Sequence, residues 1–299
     1  MHGRRFKAAT LLAVAVGLVG LSGASCPSLW PRQDPLAQLP PLLPPTPTLE
    51  QVVQVVNANN SQIRSFSAHS ATLSGTGFLA TLQATVDFER PMRLRLRGRT
   101  GPTGPEIDLG SNDELFWFWV RRSQPPATYF CRHDQFAASP VRRNIPIDPY
   151  WLIEAFGIGE FDPALVQQGP FPLPGGQLEV RTVREGPDGT ITKVTVIDGR
   201  YGLILQQRVY DSRNQLLATS TTGRYRRDPA SGLFMPTVVQ IQTPATANAP
   251  AFSLELQLGN VVINQPTAGM ERLWAMPYYE GSPPADLCRP GPRVAAGGH

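Results

Sequence analysis

The stretch Leu115–Val120, Leu-Phe-Trp-Phe-Trp-Val, constrains this chain more than any other. It is apolar at every position, and alternate residues of a strand point to opposite faces. One face carries Leu115, Trp117 and Trp119, the other Phe116, Phe118 and Val120. A strand with one wet face alternates apolar and polar instead. Leu115–Val120 is therefore either a strand in the middle of a core, or a strand with core on one face and a greasy cavity on the other.

Around it the chain reads as short strands between polar turns. Phe78–Phe88 alternates with a clear period of two, and Arg90-Pro91 ends it. Met92–Arg99 alternates again, with Met92, Leu94 and Leu96 inward and Arg93, Arg95 and Arg97 expected on a solvated face. Ser65–Leu73, Ile107–Leu109 and Thr128–Arg132 read as further strands. From Gln177 onward, strands are expected at Leu178–Val183, Ile191–Ile197, Leu203–Tyr210, Leu216–Thr221, Val238–Thr243 and Phe252–Ile263. Only two helices stand out. Thr48 can cap one over Thr48–Ile63, whose end is weakened by Asn57, Asn59 and Asn60. Asp148-Pro149 starts the other, with Trp151, Leu152, Ala155 and Phe156 as its apolar stripe and Gly157 as its end. Many antiparallel strands with few helices make the chain mostly β, of the α+β class, with an open or closed barrel rather than a doubly wound fold.

The formal charge is +4, but Arg4, Arg5 and Lys7 lie in the first 25 residues, which hold no acidic residue, so residues 26–299 carry about +1. That balance argues against a nucleic-acid partner. The basic start, the apolar run Ala8–Leu21 and the small residues Ser22–Ser25 read as a signal peptide. Cys26 follows directly, as in a bacterial lipobox, although Gly23 stands where the usual Leu would be. Acylation of Cys26 would anchor the chain in a membrane, and ordinary cleavage near Ala24 is the alternative. Residues 27–47 are rich in Pro and read as an extended tether. Export implies an oxidising compartment, which permits a disulfide between Cys131 and Cys288, with two free thiols as the alternative.

Catalytic patterns are missing from the sequence. It has four His, no H-E-x-x-H, no G-x-S-x-G in the mature domain, and no metal-ligand spacing. His133-Asp134 beside Cys131 is the one hint of a nucleophile–base pair, but neighbouring strand residues point apart. No enzyme activity, metal or cofactor is expected.

From about residue 48 to 260 the order of elements resembles the LolA/LolB family of periplasmic lipoprotein carriers. Arg90-Pro91 before an alternating strand looks like the family's early Arg-Pro strand start. Ser111–Trp119 looks like its turn followed by a Trp-bearing strand, and the helix from Asp148 like its lid. Gly186–Thr190 resembles the start of its second half, whereas Val120-Arg121-Arg122 departs from the family's turn. The resemblance implies an open antiparallel half-barrel with helices covering its concave face. It divides the chain into signal peptide (1–25), tether (26–47), half-barrel domain (48–265) and C-terminal tail (266–299). The implied cavity would hold acyl chains, lined by Met92, Leu94, Leu96, Leu115, Trp117 and Trp119, with Trp151, Leu152 and Phe156 from the lid. Arg90 matches the family Arg that latches the lid, with an exposed strand-end cation as the alternative. The expected protein is a monomeric lipoprotein on the periplasmic side of a bacterial envelope, taking acylated lipoproteins or lipids and acting in lipoprotein sorting to the outer membrane. A lipid or lipoprotein sensor, or an envelope scaffold, is the alternative.

Overall fold

Met92–Arg99 shows how the fold is built. In the computed structural model, which describes residues 36–101, 103–139, 142, 149–186, 189–246, 250–265 and 270–289, its alternation becomes strand β3 (Arg93–Thr100). Leu94 and Leu96 go into the core, in register with Phe88 and Val86 of β2 (Leu82–Glu89). β2 pairs in turn with β1 (Ser65–Gly75). On the other side of β3 follow β4 (Gly104–Ser111), β5 (Leu115–Val120) and β6 (Thr128–Arg132), which runs into the one-turn helix α2 (His133–Phe136).

The second half repeats this antiparallel logic. β7 (Val166–Leu173), β8 (Gln177–Gly186), β9 (Gly189–Asp198), β10 (Ile204–Tyr210) and β11 (Leu216–Gly223) pair in chain order. A small ribbon, β12 (Arg226–Arg227) with β13 (Phe234–Met235), leads to β14 (Val238–Thr243) and β15 (Phe252–Gln257). β15 pairs with β1 and joins the two halves into one sheet, and β16 (Val261–Ile263) pairs further along β1. The expected strand Phe252–Ile263 is thus split in two, with Gly259 packed 2.3 Å, measured from an added Cβ, from the Ser70 carbonyl. β7 has no counterpart in the sequence reading. Gly169, Pro170 and Pro172 hide it, and such residues are tolerated because β7 is an edge strand.

The sheet does not close on itself, so it is an open half-barrel with a concave and a convex face. Helix α1 (Leu49–Asn60) starts at Thr48, whose side chain and that of Gln51 cap each other's backbone N–H. Its Val52 and Val56 are buried against Phe161, Val180, Ile197 and Ile204 on the concave side. The three Asn at its end do not weaken it. Asn57 exchanges hydrogen bonds with the Phe161 backbone (2.8 and 2.9 Å), and Asn59 with that of Phe234 (2.8 and 3.0 Å).

The unit is wider than residues 48–265 at both ends. It begins at Leu39, within the Pro-rich stretch. Leu43 is buried beside Val52 and Val56, the Leu42 and Leu43 amides donate to the Arg200 carbonyl, and Tyr201 donates to that of Leu39. The C-terminal segment packs as well. After α4 (Met270–Leu273) it crosses the convex face, adds β17 (Pro284–Asp286) parallel to β6, and is joined by a disulfide between Cys131 and Cys288. Cys26 and Asp148 lie outside the described residues, and no described helix is long and apolar enough to cross a membrane.

This segment corrects the face assigned to the aromatic strand. Register places Phe116, Phe118 and Val120 opposite Ser111, Leu109 and Ile107, on the concave side. Trp117 and Trp119 lie opposite Gly110 and Asp108, on the convex side. Trp119 stacks on Tyr279 at 3.8 Å and donates to Ser282 Oγ (3.0 Å). Trp117, only 1% exposed, donates to Asp108 Oδ1 (3.3 Å), and Gly110 leaves it room, since a Cβ there would meet the indole at 2.0 Å. Arg95 is likewise buried rather than solvated. It forks onto Asp108 at 3.2 and 2.8 Å and donates to the Leu273 carbonyl (2.7 Å). Asp108 also accepts from the Tyr279 hydroxyl at 2.8 Å.

Burial, followed by the charge of Asp108, pushes the Tyr279 phenol well above its ordinary value. The folded state therefore holds this proton more tightly than the unfolded chain, and the stability it contributes is present below about pH 10 and lost as pH rises further. Buried Tyr225 is shifted the same way. Comparing wild type with Tyr279→Phe cancels its share: unfolding free energy measured across the alkaline range should fall less steeply in the variant.

Candidate functional site

The concave face is closed by a short lid. Helix α3 (Pro149–Ile153) runs into a wider π-turn, Glu154–Ile158. The turn ends at Gly157, whose φ of 76° suits glycine, and whose missing Cβ would sit 2.7 Å from the Tyr225 hydroxyl. Trp151, Ile153, Phe156 and Ile158 are buried in the same core as Phe66, Leu94, Leu96 and Val239. The Phe156 ring lies 5.5 Å from that of Phe66.

The lid is tied down by polar contacts at both ends. Arg90 donates to the carbonyls of Ile63 (2.8 Å), Asn60 (2.9 Å) and Ile158 (3.1 Å), and pairs with Glu160 at 2.9 Å. One guanidinium thus joins the end of α1, the start of β1 and the end of the lid. The Asn60 amide donates to the carbonyls of Gly159 (2.7 Å) and Gly157 (3.3 Å). Farther along, Lys193 pairs with Glu154 (2.8 Å), and Gln207 donates to the Glu154 carbonyl (3.0 Å).

Of the residues expected to line a cavity, Leu94, Leu96, Trp151 and Phe156 come together here. Leu152 is 38% exposed on the outside of the lid, because its neighbours in the helix face inward. Leu115, Trp117 and Trp119 share the opposite face of the sheet, and Met92 is half-buried outside the cluster. Phe118 and Val120, on the face opposite the expected Trp117 and Trp119 lining, have the concave orientation instead. His133 bonds Ser111 (3.2 Å) and the Asn112 carbonyl (3.0 Å), and Cys131 is disulfide-bonded, so the two form no nucleophile–base pair. No metal-binding cluster occurs among the described residues.

The concave face is two-sided in chemistry, which the sequence reading missed. On β1–β3 and β14–β15 it is hydrocarbon, as in Leu73, Val86, Phe88, Ile241 and Leu256. On β8–β11 register brings Thr182, Lys193, Thr195, Gln207 and Ser220 to the same face. The signal was available: each occupies an inward phase of its alternating strand. A cleft of about 650 Å³ opens here between the lid and β8–β11, and its walls include Tyr150, Trp151, Thr182, Lys193 and Val209. Burial and the charge of Glu154 push the Tyr150 phenol upward. At the far end of the half-barrel an apolar groove of about 480 Å³ is lined by Phe78, Leu79, Leu82 and Val120.

The described residues thus form an open antiparallel half-barrel with a tied lid over an apolar concave face, the arrangement expected from the order of the sequence motifs. A LolA superfamily protein from Nitrosomonas europaea is similar in structure over 77% of this chain and 99% of its own, at 9% identity and a TM-score of 0.46. A putative outer membrane lipoprotein-sorting protein domain from Vibrio parahaemolyticus matches 74% of this chain and 94% of its own, at 10% identity and a TM-score of 0.47. A DUF1329 family protein from Desulfovibrio piger matches 75% and 97%, at 13% identity and a TM-score of 0.45. No family model and no curated protein matches the sequence. At such identities and TM-scores the likeness carries no ligand, partner or role over to this chain.

Proposed function

We propose that this chain is a non-enzymatic envelope lipoprotein that binds acyl chains on its concave face, beneath the α3 lid, and serves in sorting lipoproteins to the outer membrane. Acylation of Cys26 would hold it, as a monomer, on the periplasmic side of a membrane. One observation carries the reading. Trp151, Ile153, Phe156 and Ile158 fill the apolar hollow from a short lid whose backbone is tied to the sheet and α1 by a few polar contacts. If the lid swings out, an acyl chain can take their place. Each CH₂ removed from water stabilises the complex by about 0.8 kcal/mol, with no directional bond required. Long flexible chains suit such a surface, because aromatic and aliphatic walls tolerate many chain positions.

Trp151 reports on this directly. A dibrominated fatty acyl chain quenches a tryptophan only on contact. Bound beneath the lid it should quench wild-type fluorescence, and Trp151→Phe should lose most of that quenching, because Trp117 and Trp119 lie across the sheet. Undiminished quenching in the variant, or none in either protein, would overturn the proposal.

A further inference from the structure

The polar half of the concave face is incompletely satisfied. Among the described residues, Trp151 Nε1, Thr182 Oγ1, Gln207 Oε1 and Ser220 Oγ are buried atoms without a hydrogen-bond partner. Their residues are 3%, 4%, 1% and 1% exposed. Buried polar atoms are normally paired, so a cluster of exceptions calls for an explanation. Thr182, Gln207 and Ser220 lie on the concave phase of β8, β10 and β11, and Trp151 of the lid shares the wall of one cleft with Thr182. Trp151 and Thr182 line the 650 Å³ cleft, whose floor includes Ile191, Val209 and Leu217. Polar atoms without partners, beside an apolar floor that continues into the hydrocarbon half, are what an amphiphile's head requires.

The cleft also specifies the kind of head. Both unpartnered atoms on its wall can donate: the Trp151 indole N–H and the Thr182 hydroxyl. Three cations stand against four carboxylates around the cleft. Arg142, Arg184 and Lys193 face Glu154, Glu160, Asp162 and Glu185, and Lys193 is already paired with Glu154. An anionic phosphate would find no excess of positive charge, whereas a neutral, carbonyl-rich group would find donors. Resting on the function proposed above, we infer that this cleft binds the ester carbonyls of an acylglycerol group. Trp151 Nε1 and Thr182 Oγ1 would donate to them while the acyl chains run toward β1–β3.

Thr182→Val tests this. The hydroxyl has no partner among the described residues, so the isosteric change should leave folding intact. Titration calorimetry would compare a dipalmitoylglyceryl-cysteinyl peptide, its dialkyl-ether counterpart and palmitate. Wild type should bind the ester about tenfold more tightly than the ether. Thr182→Val should shrink that gap to about threefold or less and leave palmitate affinity unchanged, and Trp151→Phe should also narrow it. The same ester dependence with dipalmitoylglycerol supports the site with free lipid as the source of the group, and dependence confined to the peptide supports a lipoprotein. If all three compounds bind but ester and ether bind alike, the head site falls and the acyl-binding proposal stands. If none binds, both fall.

Discussion

Asp108→Ala is expected to lower the unfolding free energy by about 3–5 kcal/mol, since it leaves Arg95 buried without its partner. The carboxylate is fully buried and collects donors from three side chains: the Arg95 fork, the Trp117 indole and the Tyr279 hydroxyl. Charged hydrogen bonds in such a site stabilise more than neutral ones, but desolvating both ions offsets much of that gain. The loss on truncation therefore reflects mainly the stranded guanidinium. Replacing Arg95 and Asp108 together by Met and Leu should cost much less than Asp108→Ala alone. Urea unfolding of the single and double variants separates the two cases. An Asp108→Ala loss below about 1 kcal/mol would mean that water reaches Arg95 and the C-terminal segment is no seal. The network lies on the convex face, so folded Asp108→Ala should still bind acyl chains. That separation distinguishes a structural clamp from a part of the binding surface.

Much of the fold could be read from period-two patterns, and the misreadings have identifiable causes. Met92–Arg99 and Phe78–Phe88 each commit one face to the core, and the greater part of each forms a strand with that face inward, Arg93–Thr100 and Leu82–Glu89, while residues 78–81 lie outside the sheet. Leu115–Val120 is apolar on both faces, so its period holds no information about orientation. What settles it is the hairpin: Phe116 pairs with Ser111, which puts the Phe side with Leu109 and Ile107 and the Trp side with Gly110 and Asp108. Gly110 inside a strand was the available clue, because a strand glycine often marks the close approach of a neighbouring group. The burial of Arg95 could not be read locally, since its cover comes from Leu273 and Tyr279, far along the chain. The candidate site was half legible. Trp151 and Phe156 follow from helical spacing, and Arg90 stands where an Arg-Pro strand start would put it. The polar set on β8–β11 is not legible, because its Thr, Gln and Ser look like ordinary solvated strand residues until helices cover that face.

Arg90→Leu is expected to loosen the lid selectively. The guanidinium supplies three hydrogen bonds to backbone carbonyls and an ion pair to Glu160. Hydrogen bonds from a charged group contribute about 1.5–3 kcal/mol net, and their removal leaves carbonyls in a mostly dry site without a donor. Of these contacts, the bond to the Ile158 carbonyl and the pair with Glu160 reach the end of the lid, and Tyr150 near its start also interacts with Arg90. If losing these contacts costs the closed state that amount, the open population rises roughly ten- to a hundredfold. Amide exchange across the described residues 149–160 should accelerate by that factor while β3 and β14 exchange as before. The functional consequence depends on what limits binding. Acyl chains and the lid's side chains compete for one hollow, so a weaker latch should speed uptake and raise apparent affinity, because less of the closed state must be displaced. Arg90→Lys should fall between wild type and Arg90→Leu, since an ammonium lacks the planar fork that reaches three carbonyls at once. Exchange that accelerates equally throughout the sheet would show Arg90 to be a general structural tie between α1 and β1, and faster lid exchange without faster acyl uptake would show that lid opening does not control entry.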